Sequence, residues 1–370
     1  MDSAYRFPAI RPEIPAMSQW SRYLQQAEAR NWFTNFGALS LELERGLLSH
    51  WGFPGSAVVC TNNGTSAIAA PLIAENVDGP VLLPAFTFPA TFSAVKMAGA
   101  EPKLLDVSLE DWVVDANELD RRLGETGARA AVLVSPFGLK RDFAQHIEVA
   151  AAHKAVLVID SAPGLGLARS DVESAGQVYE TYSMHATKPF GVGEGGAIFC
   201  AEEAALKIRS ALNFGLPTRF GEEVSAWGIN GKLSEAHAAV GLAVLDTLES
   251  RLKRRRELAA GYIARLRDVA GLQFPRDPER STWQVFPVLM PSAAAASAVE
   301  QSARELGMEV RRYYRPSLTH WLDETPCPNS DSLADRMICF PVYSCGAETA
   351  EEMAGIVEAS IARTLKGLAC

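Results

Sequence analysis

The chain has 370 residues, of which 48% are hydrophobic and 21% charged, and its formal net charge is -9. This length and composition are typical of a soluble globular protein, and we expect one large domain with a second, smaller one. The acidic balance disfavours a general affinity for nucleic acid, and no stretch approaches the roughly 20 apolar residues of a membrane span.

Two further features concern location and metals. The N-terminal segment 1–8 contains an acid and a proline where a secretory signal would have lysines and an apolar run, which predicts a cytoplasmic protein. The six cysteines are scattered, without a Cys-x-x-Cys pair and without a histidine at metal-ligand spacing. We therefore expect neither a metal site nor a disulfide framework.

Apolar runs alternate with helical patterns in the first two thirds of the chain. The runs predict strands at 81–85, 102–107, 131–135, 156–160, 181–183 and 196–200, and helices are predicted at 89–98 and 142–153. Continuously apolar strands separated by helices indicate a mostly parallel sheet covered on both faces. Such sheets bind ligands at the carboxyl ends of their strands, which is where the pattern places Asp160.

A long helical periodicity at 232–269 follows, and it predicts a helix that connects two domains. Beyond it, the patterns predict strands at 284–290, 309–314 and 337–343 and helices at 292–306 and 349–365. The sequence therefore predicts an α/β fold with a large domain over 1–245 and a small C-terminal α/β domain over 246–370.

A lysine and an acid are the residues that most directly indicate chemistry. Lys188 lies between an apolar strand and the glycine-rich turn Gly193-Glu-Gly-Gly196, and Asp160 ends another strand upstream. A lysine amine can hold an aldehyde cofactor as a Schiff base, and a carboxylate can keep a pyridine nitrogen protonated. Alone, Lys188 could be a solvated lysine and Asp160 a loop cap, but together they indicate pyridoxal phosphate.

Other residues in the same order along the chain could complete a cofactor site. Gly64, Thr65 and Ser66 start an alanine-rich helix, where backbone amides and hydroxyls can bind a phosphate, although plain N-capping explains them as well. Phe88 could stack on a flat ring or lie in the core. His185 could lie near the phosphate or the ring, or be structural.

With a glycine-containing helix start, an aromatic residue, an acid and a lysine in this order, the chain resembles the nucleotide-sugar aminotransferases of the DegT/DnrJ/EryC1/StrS family. These are fold type I pyridoxal phosphate enzymes. The resemblance covers nearly the whole length. It rests on Asn63-Gly-Thr-Ser-Ala67, Thr87-Phe-Pro-Ala-Thr91, Gly99-Ala-Glu-Pro102, Val158-Ile-Asp-Ser-Ala162, the 183–196 segment, Gly228-Ile-Asn-Gly-Lys-Leu-Ser-Glu235 and Asp335-Arg-Met-Ile-Cys-Phe-Pro-Val-Tyr343.

The resemblance implies a role for each matching position. Lys188 would bind the cofactor covalently, Asp160 would face its ring nitrogen and Phe88 would stack on the ring. The phosphate would be held by Gly64, Thr65 and Ser183, with Asn230 reaching in from the neighbouring subunit. The family works as homodimers with shared active sites, so the resemblance also implies a homodimer.

One position departs from the family pattern. After the aspartate the family has Ala-Ala-Gln or Ala-Ala-His, whose last side chain lies by the cofactor's 3-hydroxyl, whereas this chain has Ser161-Ala-Pro163. Proline cannot supply that hydrogen bond. Members that became dehydratases have histidine in place of the lysine, so the presence of Lys188 favours transamination.

By resemblance, the expected reaction transfers an amino group from glutamate to a nucleotide-linked keto sugar, with a dTDP-4-keto-6-deoxyhexose favoured. A keto-cyclitol or another cyclic ketone from natural-product biosynthesis is an alternative acceptor. A catalytically silent, cofactor-binding regulator is a further alternative, but pyridoxal-type regulators have an added DNA-binding module, and this chain has no obvious space for one.

Overall fold

The computed structural model describes residues 5–167, 177–216, 227–322 and 325–368. Residues 1–4 of the N-terminal segment discussed above, and Cys370 among the six cysteines, lie outside these ranges. The strands are β1 (Ser56–Thr61), β2 (Pro80–Pro84), β3 (Glu101–Leu105), β4 (Ala130–Val134), β5 (Val156–Asp160), β6 (Val178–Ser183), β7 (Gly196–Ala201), β8 (Val285–Leu289) and β9 (Met337–Pro341). The α-helices are α1 (Met17–Arg30), α2 (Ala38–Trp51), α3 (Gly64–Ala74), α4 (Pro89–Met97), α5 (Ala116–Thr126), α6 (Ala144–Ala152), α7 (Ala205–Ala211), α8 (Glu235–Leu245), α9 (Leu248–Leu266), α10 (Ala293–Glu305), α11 (Pro328–Arg336) and α12 (Ala347–Leu368). Within the described ranges, none of these helices has both the length and the apolar character that crossing a membrane requires.

The main sheet has seven strands in the order β1-β7-β6-β5-β4-β2-β3. Neighbours from β3 to β6 run parallel, while β7 is antiparallel to both β6 and β1. The predicted α/β fold with a mostly parallel sheet is therefore confirmed. Strand β1 was not predicted from the sequence, because its six residues form an isolated run outside the strand–helix alternation that identified the others.

The central strands are apolar throughout because both sheet faces are covered. Alternate side chains point to opposite faces of a strand. Val132 and Val158 accordingly pack in the hydrophobic core on one face of the sheet, while Leu133 and Ile159 pack in the core on the other. Each strand thereby contributes to two cores, and the β-branched residues that favour strands supply much of the packing.

The predicted helix at 232–269 is wrong as a single element, because it divides into α8 and α9. Thr247 leaves helical geometry, with φ -123° and ψ -3°, and α9 starts at the next residue. Helix α8 packs against α1 and α2, whereas α9 packs against α12, so the chain must change direction between them. The apolar periodicity continues across this two-residue break and therefore cannot reveal it.

The C-terminal part forms its own two-stranded antiparallel sheet from β8 and β9. Leu258, Tyr262 and Leu266 of α9 pack with this sheet, while Leu248 and Leu252 of the same helix belong to the core beside the main sheet. One helix thus contributes to both cores. The domain division at 245/246 remains a prediction.

The predicted strand at 309–314 is also wrong. Arg311 makes a single bridge to Cys339 through N–H···O bonds of 3.0 and 2.8 Å, after which the chain turns before Pro316. A proline cannot continue a ladder because it lacks the N–H donor. The turn directs Tyr313 and Tyr314 towards the carboxyl edge of the main sheet, where the candidate site lies.

Candidate active site

A cavity of about 560 Å³ lies at the carboxyl edge of the central strands. It is formed by the ends of β4, β5 and β6, the starts of α3 and α4, the 183–194 segment and residues from the C-terminal part. Seven of the predicted site residues line it: Gly64, Thr65, Phe88, Asp160, Ser183, His185 and Lys188. Ser66 and Asn230 do not line it.

Asp160 is the last residue of β5, and its carboxylate is buried at this edge. Its Oδ2 accepts a hydrogen bond of 2.9 Å from the Thr91 hydroxyl, and its Oδ1 accepts one of 3.1 Å from the Ala162 N–H. Thr91 in turn is 2.8 Å from the Thr87 hydroxyl. Burial raises the pKa of Asp160, while these hydrogen bonds and the charge of Lys188 act in the opposite direction. The carboxylate is thus held in one orientation and would be stabilised by a nearby positive charge.

Lys188 belongs to the segment that joins β6 to β7, and its side chain is partly buried in the cavity wall. Its Nζ donates a hydrogen bond of 3.2 Å to Oε1 of Gln284. Burial lowers the pKa of Lys188 to about 8, although the charge of Asp160 opposes the shift. A larger fraction of this amine is therefore unprotonated near neutral pH than in an ordinary lysine, which favours its action as a nucleophile.

The start of α3 has the geometry of an anion site. Asn63 caps the helix by accepting a 2.8 Å hydrogen bond from Ser66 N–H. The N–H groups of Gly64 and Thr65 lie in the first turn, where the helix itself offers no carbonyl acceptor. A Cβ on Gly64 would lie 2.8 Å from the Ser183 Cβ. Glycine therefore lets the helix start approach Ser183. Ser66 is buried behind this start, with its N–H already used in the cap.

Phe88 and His185 lie on the cavity wall. Phe88 precedes α4 and is 56% exposed, so its ring is a cavity surface rather than part of the core. His185 Nδ1 lies 2.8 Å from the Thr187 hydroxyl, and its Nε2 lies 3.7 Å from Glu194.

Pro163 lies where the family pattern has a glutamine or histidine. Its ring lines the cavity, and its carbonyl accepts a hydrogen bond of 2.5 Å from the Thr282 hydroxyl. The chain therefore uses this position to join the main sheet to the C-terminal part, and its side chain offers the cavity no hydrogen bond.

The profile of the DegT/DnrJ/EryC1/StrS aminotransferase family matches residues 17–359. The chain belongs to this family. The resemblance seen in the sequence motifs is thereby confirmed, and the chain is a pyridoxal phosphate-dependent aminotransferase with a fold type I architecture.

The chain is also similar to individual proteins whose names state different substrates or products. The chain is 26% identical to a dTDP-4-amino-4,6-dideoxy-D-glucose transaminase from Shigella dysenteriae, over 90% of this chain and 93% of that protein. It is 28% identical to a 3-oxo-glucose-6-phosphate:glutamate aminotransferase from Bacillus subtilis, over 73% of this chain and 62% of that protein. The crystal structure of DesI with its TDP-sugar product matches with a TM-score of 0.86 and 26% identity, covering 99% of this chain and 97% of that one.

The cavity fits the cofactor of this aminotransferase family. A buried carboxylate, a lysine with a lowered pKa and a glycine-containing helix start line one cavity. Pyridoxal phosphate needs a partner for its ring nitrogen, its aldehyde and its phosphate. The close approach of Gly64 to Ser183 leaves no room for a side chain that would fill the phosphate end of this space.

Sequence reasoning missed several cavity residues. Gln284, Tyr313 and Tyr314 come from the C-terminal part, and Tyr314 stacks on Phe137 with ring centres 5.6 Å apart. Burial, followed by the charge of Asp160, raises the pKa of Tyr314, so this phenol stays protonated. No local pattern identifies these residues, because they reach the cavity only through the packing of the two parts. The Thr87-x-x-x-Thr91 spacing, by contrast, could have predicted that a hydroxyl beside the strand ends donates a hydrogen bond to Asp160.

Proposed function

We propose that this aminotransferase transfers the amino group of glutamate to a nucleotide-linked keto sugar, a dTDP-4-keto-6-deoxyhexose. The observation that carries the reaction is the presence of Lys188 and Asp160 on one cavity in a chain of this family. The acceptor is supported by the names of the Shigella relative and of the DesI complex. The donor is supported by the glutamate in the name of the Bacillus relative.

Pyridoxal phosphate, when bound, supplies a protonated ring that withdraws electrons from the substrate carbon. Asp160 would hold the ring nitrogen, and its hydrogen bonds from Thr91 and Ala162 keep it oriented as an acceptor. Lys188 would link to the aldehyde and, once released, move a proton through Nζ as general base and then general acid. Its pKa of about 8 lies near the operating pH, where such exchange is efficient.

Binding of the cofactor phosphate would use the N–H groups of Gly64 and Thr65 with the Ser183 hydroxyl. Ser66 was also predicted to contribute, but its burial and its capped N–H favour a structural role. Phe88 would cover one face of the ring, and His185 would lie on the same wall. The positions of the side chains around the cavity support these roles.

A homodimer with shared sites completes the proposal. Asn230 is exposed, and its Oδ1 accepts a hydrogen bond of 2.8 Å from Lys232. Large apolar side chains on the neighbouring surface are also exposed, among them Phe214 at 49% and Trp227 at 88%. Exposed apolar side chains of this size favour a protein interface. We propose that Asn230 contributes to the partner's phosphate site, and that the enzyme works in the cytoplasm.

A second candidate acceptor is a keto sugar without a nucleotide. The Bacillus relative, by its name, acts on an oxo-glucose phosphate, so the family does not require a nucleotide on its acceptor. The same cavity residues would carry out the chemistry, and only the substrate groups beyond the reacting carbon would differ. A keto-cyclitol belongs to this class of acceptor.

The test is transfer of ¹⁵N from labelled glutamate to a panel of ketones, followed by mass spectrometry. The panel contains dTDP-, UDP- and GDP-linked 4-keto-6-deoxyhexoses, a 3-oxo-glucose phosphate and a keto-inositol, with Lys188→Ala as the inactive control. We expect the highest kcat/KM with the dTDP sugar. Labelling of the unlinked sugar or the keto-inositol alone would transfer the assignment to the second candidate. If glutamate still changes the absorbance of the loaded enzyme but no ketone of the panel becomes labelled, both proposed acceptors are rejected.

A further inference from the structure

A second cleft, of about 410 Å³, shares none of its described lining residues with the active-site cavity. It lies between the 110–113 and 139–142 loops of the main sheet and the 273–280 segment of the C-terminal part. Four cationic side chains line it: Lys140, Arg141, Arg276 and Arg280. Nothing in the proposed transamination uses this cleft.

The guanidinium of Arg141 is the central charge of the cleft. It lies 5.8 Å from the centre of the Trp112 ring, and its Nε is buried without a hydrogen-bond partner among the described residues. Burial lowers the pKa of Arg141, and the charge of Arg280 lowers it further. None of the four cations is within 4.0 Å of a carboxylate oxygen in the described part of the chain. A partly buried arginine without an ion pair is costly unless a ligand neutralises it.

The indole of Trp112 is part of the cleft wall beside Arg141. Trp112 is only 3% exposed, and in the described part of the chain its Nε1 has no acceptor. Buried N–H groups almost always have an acceptor, because leaving one unpaired costs its full desolvation. Two such donors, on residues in contact with each other, therefore lie in the wall of this cleft, without an acceptor in the described part of the chain.

Four carboxylates also line the cleft, and main-chain hydrogen bonds hold three of them in place. Asp111, Asp142 and Asp277 accept hydrogen bonds from main-chain N–H groups two residues further on, and Glu110 is exposed. Asp111 also acts electrostatically on Arg141, raising its pKa against the two lowering effects. In the described part of the chain, neither Nε of Arg141 nor Nε1 of Trp112 donates a hydrogen bond to this carboxylate.

We propose that this cleft is a binding site for a small oxyanion, a phosphate or a carboxylate group. Arg141 and the Trp112 N–H would bind the oxygens, and Lys140 and Arg280 would add positive charge around them. An arginine fork matches the oxygens of either group, and binding in a partly buried cleft strengthens such charge-assisted bonds.

The test uses the enzyme loaded with pyridoxal phosphate, so that the cofactor's own phosphate site is filled. Inorganic phosphate and succinate are titrated separately by calorimetry, which distinguishes the two sources of the oxyanion. We expect saturable binding of at least one, weakened about tenfold or more by Arg141→Met, because charged hydrogen bonds of this kind are worth about that factor. Arg129→Met, which removes an exposed arginine paired with Asp78, is the matched control and should change affinity less than twofold. Equal affinity in both variants, or no saturable binding of either anion by the wild type, contradicts the proposal.

Thermal unfolding gives a second measurement that separates binding from a structural role of Arg141. The anion should raise the Tm of the wild type and leave the Tm of Arg141→Met unchanged. If Arg141→Met does not fold, Trp112→Phe removes the indole N–H and keeps an aromatic ring, and several-fold weaker anion binding is expected. A rise in Tm of the same size in the wild type and in the folded variant would exclude this cleft as the binding site.

Discussion

The amine of Lys188 is the group on which cofactor attachment depends, and its pKa of about 8 makes it a competent nucleophile. We predict that Lys188→Ala loses the visible absorbance of the purified enzyme. Turnover should fall by roughly a thousandfold or more, because one group supplies both the covalent link and the proton transfer. Absorbance spectra and steady-state rates provide the measurement.

Borohydride reduction followed by peptide mapping identifies the modified lysine directly. Lys207→Ala is the control, since Lys207 is exposed and pairs only with Glu75 among the described residues. A cofactor adduct on any lysine other than Lys188 would overturn the assignment.

We expect Asp160 to keep the cofactor ring protonated and electron-withdrawing, and to contribute little to the binding of the cofactor. We predict that Asp160→Asn keeps most of the cofactor but slows each half-reaction roughly a hundredfold or more, as loss of a preorganised charge does. The amide oxygen can still accept one of the two hydrogen bonds that Asp160 receives, from Thr91 or from Ala162, while the amide NH2 group cannot accept the other. Stopped-flow absorbance with glutamate, and then with the keto sugar, measures the two half-reactions.

Thr91→Val is the graded comparison for Asp160→Asn. It removes the Thr91 hydrogen bond that lowers the pKa of Asp160 but leaves the carboxylate in place. A smaller slowing than that of Asp160→Asn is expected. Turnover close to that of the wild type in Asp160→Asn would mean that another acid serves the ring nitrogen.

At the scale of residues, the sequence predicts those groups whose position depends on one strand end. Asp160 ends an apolar run, and Lys188 follows another, so their placement at one edge of a parallel sheet follows from the fold class. Gln284 and Tyr314 could not be predicted in this way, because their distance from Lys188 and Asp160 depends on how the C-terminal part packs. Ser66 is a local ambiguity, since capping and ligand binding use the same residue types.

At the scale of elements, the start of α3 must lie against β6 for the phosphate site to form. We predict that Gly64→Ala weakens pyridoxal phosphate binding about tenfold, which corresponds to about 1.4 kcal/mol. The reason is that the added Cβ would lie 2.8 Å from the Ser183 Cβ and would displace the helix start. Fluorescence titration of the cofactor-free protein measures the change.

Gly124→Ala in α5 is the matched control. Its added Cβ would lie 3.8 Å from the nearest atom, in His153, and alanine is favoured over glycine within a helix by up to about 1 kcal/mol. Cofactor affinity should be unchanged and stability unchanged or higher. Equal cofactor affinity in Gly64→Ala and the wild type would show that the α3 start does not bind the phosphate.

The elements that sequence reasoning predicted well are those with uninterrupted apolar runs, such as β5. The break between α8 and α9 was missed because a single non-helical residue, Thr247, leaves the periodicity intact. The 309–314 segment has residues typical of a strand, but within the described structure only Arg311 pairs with another strand before the chain turns. In both cases the direction of the chain is set by packing partners distant in sequence, which local patterns do not contain.

At the scale of the whole molecule, the shared-site proposal concerns Asn230. It lies outside the cavity of its own chain, on a surface with exposed aromatic side chains, and Lys232 holds its side-chain oxygen. In a homodimer with two-fold symmetry, each subunit would give its Lys188 to one site and its Asn230 to the other. The two residues would then act in the same site but come from different chains.

We predict that mixing two inactive variants, Lys188→Ala and Asn230→Asp, restores activity. A hybrid dimer places both defects in one site and leaves the other site intact, so equal mixing with free exchange should give roughly a quarter of wild-type activity. Aspartate is used because its negative charge repels the cofactor phosphate, whereas alanine could leave too much activity for rescue to be visible. Subunit exchange is demonstrated separately with two affinity tags. If hybrids form and Asn230→Asp is inactive, yet mixing restores nothing, Asn230 acts within its own subunit and the shared-site proposal is wrong.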